Sequence, residues 1–496
     1  MRALGLALGA CALALGVGAA PSTSPGDAGR PPSAVGLPVP GAKGLEFVGR
    51  AGCVECHANE AKLWSGSHHD LAMDVAEPGT VLGAFDGRVF EHEGERFRFA
   101  RDGARFVVGW WPPGKADASS AHEFDVTHTF GVHPLQQYLI DVGEGGRLQS
   151  LTVAWDVEAK RWIHLQDGQR IAPDDALHWQ GRYQTWNGMC ADCHSTRLDR
   201  GYDAASDAHA TTWAEIDVGC EACHGPGSAH VARVEARAAG KPVPAVHGDG
   251  LVVDFASATS REQVDACGRC HARRRVVSPM FEHGGSLFDH YVPATLDEGL
   301  YHADGQILDE VYVYGSFTQS RMYVAGVRCT DCHDPHSGRL REQGDALCMQ
   351  CHSGAGASRF KGMPAGAYDT PAHHHHAKGE PGSACVDCHM PATTYMQVDP
   401  RRDHRFGVPR PDLSLRLGTP NACTGCHQDE TVAWAVEQAK AWWGAAAVRP
   451  FDFAALFHDA RRGEPSTLAG LGEWIDRQGD APAVRATAVE DRKSVV

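Results

Sequence analysis

The sequence predicts an α+β protein, mainly short helices and loops, with an inserted antiparallel β domain and the start of a C-terminal α-helical repeat. Three observations predict it. Eight C-x-x-C-H motifs punctuate residues 53–427 and leave little room between them for long elements. Residues 88–165 alternate aromatic or β-branched residues with polar ones and are broken by Gly or Asp-Gly, the period of half-buried strands joined by hairpins. Beyond residue 427 the apolar period becomes that of a helix.

Taken in order, residues 1–20 open with a basic Arg2, continue as an apolar Ala/Leu/Gly run and end before Pro and Ser. That is the pattern of a secretory signal peptide, cleaved near Ala19 or Ala20. Leu8-Gly9-Ala10-Cys11 loosely resembles a lipoprotein box, but the apolar run continues past Cys11. Residues 21–44 are rich in Pro, Gly, Ser and Ala and read as a flexible linker. Residues 45–80 hold the first motif, followed by a predicted helix across residues 64–73 that carries His68 and His69. Residues 81–178 are expected to form six to eight strands. Their histidines, His92, His122, His128, His133 and His164, are mostly strand-face residues by pattern.

Residues 179–428 carry the other seven motifs. Residues 429–490 show helical periodicity at 430–443, 452–462, 466–477 and again from Pro482. Successive helices of this kind suggest a repeat array, which needs about three repeats to bury its faces. Residues 491–496 read DRKSVV, the translation of the start of a common sequencing adapter. This ending is expected to be an artefact, with the natural chain continuing.

The motif cysteines are Cys53 and Cys56, Cys190 and Cys193, Cys220 and Cys223, Cys267 and Cys270, Cys329 and Cys332, Cys348 and Cys351, Cys385 and Cys388, and Cys423 and Cys426. They account for sixteen of the 17 cysteines. C-x-x-C-H is the attachment sequence of a c-type haem. The two thiols bond the macrocycle and the following histidine is held beside the iron as an axial ligand. The expected ligands on that side are His57, His194, His224, His271, His333, His352, His389 and His427. An array of zinc ribbons would explain the paired cysteines but not the histidine after every second one. Eight covalent haems are therefore expected. Between residues 190 and 427 the chain is too short for an ordinary side-chain core, so the macrocycles must form much of the core.

Twenty-one of the 29 histidines lie outside the motifs, enough for a second ligand on every iron. His69 or His68 is a candidate after the first motif. His230 follows the third through the turn at Gly225-Pro226-Gly227. His336 lies three residues after His333, too near for the far face of the same haem and suited to a neighbouring iron. His283, His290 and His302 are open alternatives. One member of the run His373-His374-His375-His376, His373 or His376, is expected to be a ligand, and His404 precedes the eighth motif. Arg273, Arg274 and Arg275 are placed to pair with propionates or a bound anion.

The formal charge of -16 argues against nucleic acid and suits basic redox partners. No segment after the leader is long and apolar enough to span a membrane. The expected location is periplasmic or extracellular.

The segments TFGVHPLQQYL, HWQG, WNGMCADCHST, VGCEACHGPGSAH, CTDCHDPHS, CVDCHMP, DHRFGVPRPDLS and GTPNACTGCH resemble the multihaem cytochromes of the c-552/4 group, related to the tetrahaem electron acceptor of hydroxylamine oxidoreductase. The resemblance is strongest to large members with tetratricopeptide-like repeats after the haem region, and it covers about residues 45–445. It implies a chain of mainly bis-histidine haems, with His69, His230, His336, His376 and His404 at the recurring extra positions, and a repeat region that docks a partner.

Electron transfer between redox proteins is the leading expectation. The alternative is an oxidoreductase acting on a small nitrogen or sulfur oxyanion, such as nitrite, hydroxylamine or tetrathionate, at one iron with an open axial position. The C-x-x-C-K site of several nitrite-reducing relatives is absent, since every motif ends in His. A structural scaffold whose helical tail docks a partner is a third reading.

Overall fold

The computed structural model describes residues 44–495 except 116–119, 144, 279, 354–359, 361–362, 364, 448–452 and 478–480. The expected leader, the lipoprotein-like box and the linker up to residue 43 lie outside the described residues. The expected α+β class is borne out: one large antiparallel sheet sits between clusters of short helices.

The chain begins with α1 (Ala51–Val54) and α2 (Ala58–Trp64). The helix expected across residues 64–73 does not form. α2 stops at Trp64 because Ser65 is extended and Gly66 takes a positive φ of 74°. Turns then lead into β1 (Met73–Val75).

The sheet continues with β2 (Asp86–His92), β3 (Glu95–Asp102), β4 (Arg105–Trp111), β5 (His122–Phe130), β6 (Leu135–Asp141), β7 (Leu148–Ser150), β8 (Val153–Asp156) and β9 (Arg161–His164). It has nine strands rather than six to eight and begins before residue 81. The extra strand, β1, is a three-residue piece, too short to show a period of two. β1 pairs with β5 and β7 with β6, beside the main order β2-β3-β4-β5-β6-β8-β9. Glu93 and Gly94, both at positive φ (46° and 89°), make the two-residue turn between β2 and β3. Such turns match the twist of a hairpin. Alternate residues Phe97 and Phe99 of β3 point inward, to a core with Phe85, Phe106, Tyr138, Trp155 and Trp179. A second core of Met73, Phe130, Leu139 and Trp186 fastens the sheet to the second motif through Cys190 and Ala191.

Helices then follow in quick succession: α3 (Trp186–Met189), α4 (Ala191–His194), α5 (Cys220–His224), α6 (Ser228–Ala238) and α7 (Ser260–His271). Two-residue strands β10 (Tyr202–Asp203) and β11 (Ala208–His209) lie between α4 and α5, and β12 (Arg274–Val276) and β13 (Tyr291–Pro293) follow α7. Next come α8 (Tyr314–Thr318), α9 (Arg321–Val324), α10 (Cys329–Cys332), α11 (Ala346–His352), α12 (Pro371–His374) and α13 (Cys385–His389). The hairpin β14 (Ala392–Tyr395) and β15 (Asp399–Arg402) precedes α14 (Pro411–Leu417) and α15 (Ala422–Cys426).

The expected C-terminal helices are α16 (Val432–Trp443), α17 (Phe453–Ala460), α18 (Leu468–Asp476) and α19 (Pro482–Val495). The last three share a core with Leu296, Tyr301, Ile307 and Val311 of the motif region. Arg461 donates to Leu296 O, and Leu296 N donates to Thr487 Oγ1 at 2.9 Å. These helices therefore cover the motif region with their apolar faces.

Candidate haem-binding array

Each motif sits on a helical turn. α5 and α13 are motifs from first cysteine to histidine, and the fourth and sixth motifs end α7 and α11. Helical spacing explains this. Residues three and four apart share a face, so both thiols and the histidine point to one side. Where the helix stops at the second cysteine, the turn is still closed: His333 N donates to Cys329 O at 2.9 Å and His427 N to Cys423 O at 2.8 Å.

The motif histidines meet other histidines. Ring centroids are 6.2 Å apart for His57 and His230, 6.4 Å for His69 and His271, and 6.4 Å for His224 and His336. They are 6.4 Å apart for His333 and His404, 6.3 Å for His373 and His389, and 6.0 Å for His376 and His427. Two imidazoles opposite each other on one metal, each bound at about 2 Å, place their centroids about 6 Å apart. Six of the eight motifs thus present a facing pair at that spacing.

The pairings cross the chain. His69 faces the fourth motif rather than the first, His336 the third, and His404 the fifth. Both His373 and His376 face motif histidines, where sequence reasoning expected one. His376 faces the eighth motif and His373 the seventh. His352 lies 6.2 Å from Tyr368 and His194 5.7 Å from Phe130. Among the described residues no histidine faces either of them at the same spacing.

The donor set fits haem. His194, His230, His376, His389 and His404 each donate Nδ1–H to a backbone carbonyl, at Ala72, Asp249, His374, Gly407 and Arg402 respectively, over 2.6–3.1 Å. That bond fixes the tautomer and leaves Nε2 to bind a metal. Nε2 of His194 is buried without a partner. Burial, then neighbouring imidazoles, push His271 down to about 3 and His224 to about 4. Both rings are thus neutral, the form a metal requires. Cysteines of the second through eighth motifs line one cavity of about 2640 Å³. A pocket for one small ligand has about 300–1,000 Å³, so this space suits several macrocycles in contact.

A buried charge cluster joins the second and fourth motifs. Asp192 accepts from Arg274 at 2.8 Å and from the Tyr291 hydroxyl at 2.9 Å, with Arg200 at 3.3 Å and Arg269 at 3.8 Å. Burial works to raise the Asp192 carboxyl, but the three guanidiniums and the hydroxyl outweigh it and hold it at about 2. Of the arginines singled out in sequence, only Arg274 enters this cluster. Arg273 lies 3.8 Å from Asp309, and Arg275 is exposed. Arg269 and Asp192 were missed, although each stands between the two cysteines of a motif.

The remaining candidate histidines have other surroundings. His92 and His164 stack at 3.7 Å, His128 packs on Trp213, and His122 is exposed. His133 lines the large cavity, bonds Glu158 at 2.9 Å and faces His68 at 6.4 Å. His283 and His290 pack against Phe281.

Comparison with known proteins gives matches to two segments of the chain and one likeness of fold. The family described as Cytochrome c554 and c-prime matches residues 154–225, and the Doubled CXXCH motif family matches residues 322–357. Motifs, facing histidines and these matches together support c-type haem binding and electron transfer. Among solved structures, the chain is similar in fold to the Outer Cell Wall Cytochrome OcwA. The TM-score is 0.53 at 17% identity, over 90% of this chain and 99% of that one. No curated protein matches the sequence.

Proposed function

We propose that the chain is an exported octahaem c-type cytochrome of the c-552/4 kind, carrying electrons between redox proteins along mainly bis-histidine haems. The observation that carries this reading is the set of six histidine pairs at 6.0–6.4 Å. The sixteen motif cysteines would anchor the groups, and His57, His194, His224, His271, His333, His352, His389 and His427 would bind one side of each iron. His230, His69, His336, His404, His373 and His376 would bind the other side at six of them. The haem supplies a ferric/ferrous couple whose potential follows axial ligand, burial and nearby charge. The protein contributes imidazoles held in place by packing and by hydrogen bonds to backbone carbonyls, so a change of oxidation state needs little rearrangement.

Export through residues 1–20 to the periplasm or cell exterior is part of the proposal. It is supported by the leader pattern and by the likeness to a protein titled an outer cell wall cytochrome. No helix among the described residues is long and apolar enough to cross a membrane. Docking of a partner by the C-terminal helices is proposed as well, on the resemblance alone.

A second reading is favoured by His194 and His352, which face Phe130 and Tyr368 instead of histidine. Neither offers a second imidazole, and beside His194, where Phe130 carries no donor atom, an iron would have an open position. At the second motif the cluster of three arginines on one aspartate leaves an excess of positive charge. Such a site suits reduction or oxidation of a small nitrogen or sulfur oxyanion.

Low-temperature electron paramagnetic resonance on the oxidised, haem-loaded protein separates the readings, with spins counted against a chemical haem assay. Eight haems per chain and low-spin signals integrating to all of them support the conduit and exclude an open iron. High-spin signal that shifts with nitrite or hydroxylamine establishes the oxidoreductase. A haem count well below eight overturns both.

A further inference from the structure

The order of the motifs in space differs from their order in sequence. The third motif meets the chain before the first: Glu221 accepts from Val48 N at 2.9 Å and Gly49 N at 2.7 Å. The fourth meets the third, where Arg269 Nη1 donates to Ala222 O at 3.1 Å. The fifth meets the fourth: α10 packs on α7, and Thr330 Oγ1 donates to Gln263 Oε1 at 2.8 Å. The sixth reaches the fifth through Gln350 Nε2 and Asp331 O at 3.5 Å. The seventh meets the sixth through Cys385 N and Asp345 Oδ1 at 2.8 Å, and α13 of the seventh packs on α15 of the eighth. The second touches the fourth, with Cys193 Sγ 3.8 Å from Cys270 O and α4 packed on α7.

The two ends of this file face outward. Glu55, Ala58, Asn59 and Glu60 are exposed, beside Lys62 and Leu63. At the other end the eighth motif leads into exposed Gln428, Asp429 and Glu430. The second motif is the opposite case, with His194 only 1% and Cys190 3% exposed. Acidic side chains flank both outer ends, on a chain of net charge -16.

We propose that the motifs form a single file, first, third, fourth, fifth, sixth, seventh, eighth, with the second as a side branch on the fourth, and that the two exposed ends are docking surfaces for basic redox proteins. The proposal rests on the electron-transfer reading. It places one surface on Glu55, Glu60 and Leu63 and the other on Asp429 and Glu430. Opposite charge would steer the encounter and weaken with salt.

The test is calorimetric titration of the oxidised, haem-loaded protein with ferric mitochondrial cytochrome c, a basic single-haem protein, at low ionic strength. With both proteins oxidised no electron moves, so the readout is binding alone. Two sites per chain are expected. The double variant Glu55→Lys/Glu60→Lys loses one, Asp429→Lys/Glu430→Lys loses the other, and the quadruple variant loses both. Each lost site weakens at least tenfold, while Asp102→Lys on the β3–β4 turn leaves both intact. Cross-links mapped by mass spectrometry should fall at residues 55–63 and 428–430. Unchanged stoichiometry in the end variants, or cross-links centred on the sheet, overturns the proposal. The spin count is a separate measurement, so low-spin haems with no docking at the ends would reject these surfaces and leave the conduit standing.

Discussion

His230 and His164 illustrate two uses of one residue type. His230 donates from Nδ1 to a backbone carbonyl, and its ring centroid stands 6.2 Å from that of His57. Replacing it by methionine should raise the potential of one haem on the order of 0.1 V, since a Met/His iron is easier to reduce than a bis-histidine one. Potentiometric titration should show one wave moved up and the others in place. His164 has no such task. It is buried and stacked on His92, and burial, then the neighbouring ring, push it down to about 4 from an ordinary 6.5. Between those values the unfolded chain takes up the proton more readily than the folded one. The stability His164 contributes is therefore full above about pH 6.5 and is lost as pH falls toward about 4, up to about 3 kcal/mol. Thermal unfolding of His164→Asn should show a smaller decline between pH 7 and 4 than the parent.

At the scale of elements, the motif helices are set by packing as much as by their cysteines. Gly268 lies inside the fourth motif, on α7, where the Tyr314 ring of α8 rests on its backbone. A Cβ there would come within 2.5 Å of that ring. Tyr314 is not free to retreat, because its hydroxyl donates to Asp265 at 2.8 Å. Gly268→Ala should therefore cost about 1–3 kcal/mol by overpacking. Denaturant unfolding measures that cost, and the chemical haem assay checks that attachment survives. The strands were largely legible, because β2 to β6 alternate clearly in sequence. β7 was legible as part of the strand run LQSLTVAWD and pairs with its neighbour β6. β1 was not, since three residues carry no period and its partner β5 lies far along the chain. The false helix at residues 64–73 has the same origin: an apolar pattern continued past Gly66, where the backbone turns left-handed.

Across the whole molecule, the C-terminal helices and residues 296–311 form one core. Phe457 is fully buried at its centre. Phe457→Ala should destabilise this region by about 3–5 kcal/mol. Hydrogen exchange should show faster exchange in α17, α18 and α19 and in residues 296–311, with the sheet unchanged. An equal loss in the sheet would mean that the two cores unfold as one.

The sequence by itself pointed to c-type haem binding, because C-x-x-C-H is a local pattern whose spacing matches one helical turn. It also determined the strand-rich insertion and the helical end, because both leave a period of their own. It narrowed the second histidines to a short set, and His69, His230, His336, His376 and His404 all stand opposite motif histidines. Only the tertiary structure decided which motif each one faces, that His373 joins them, and that His194 and His352 face aromatic rings instead. Facing pairs join residues up to 202 positions apart, as with His69 and His271, and no local spacing encodes such a distance. They are brought together by packing across several helices at once, as are the buried charges around Asp192.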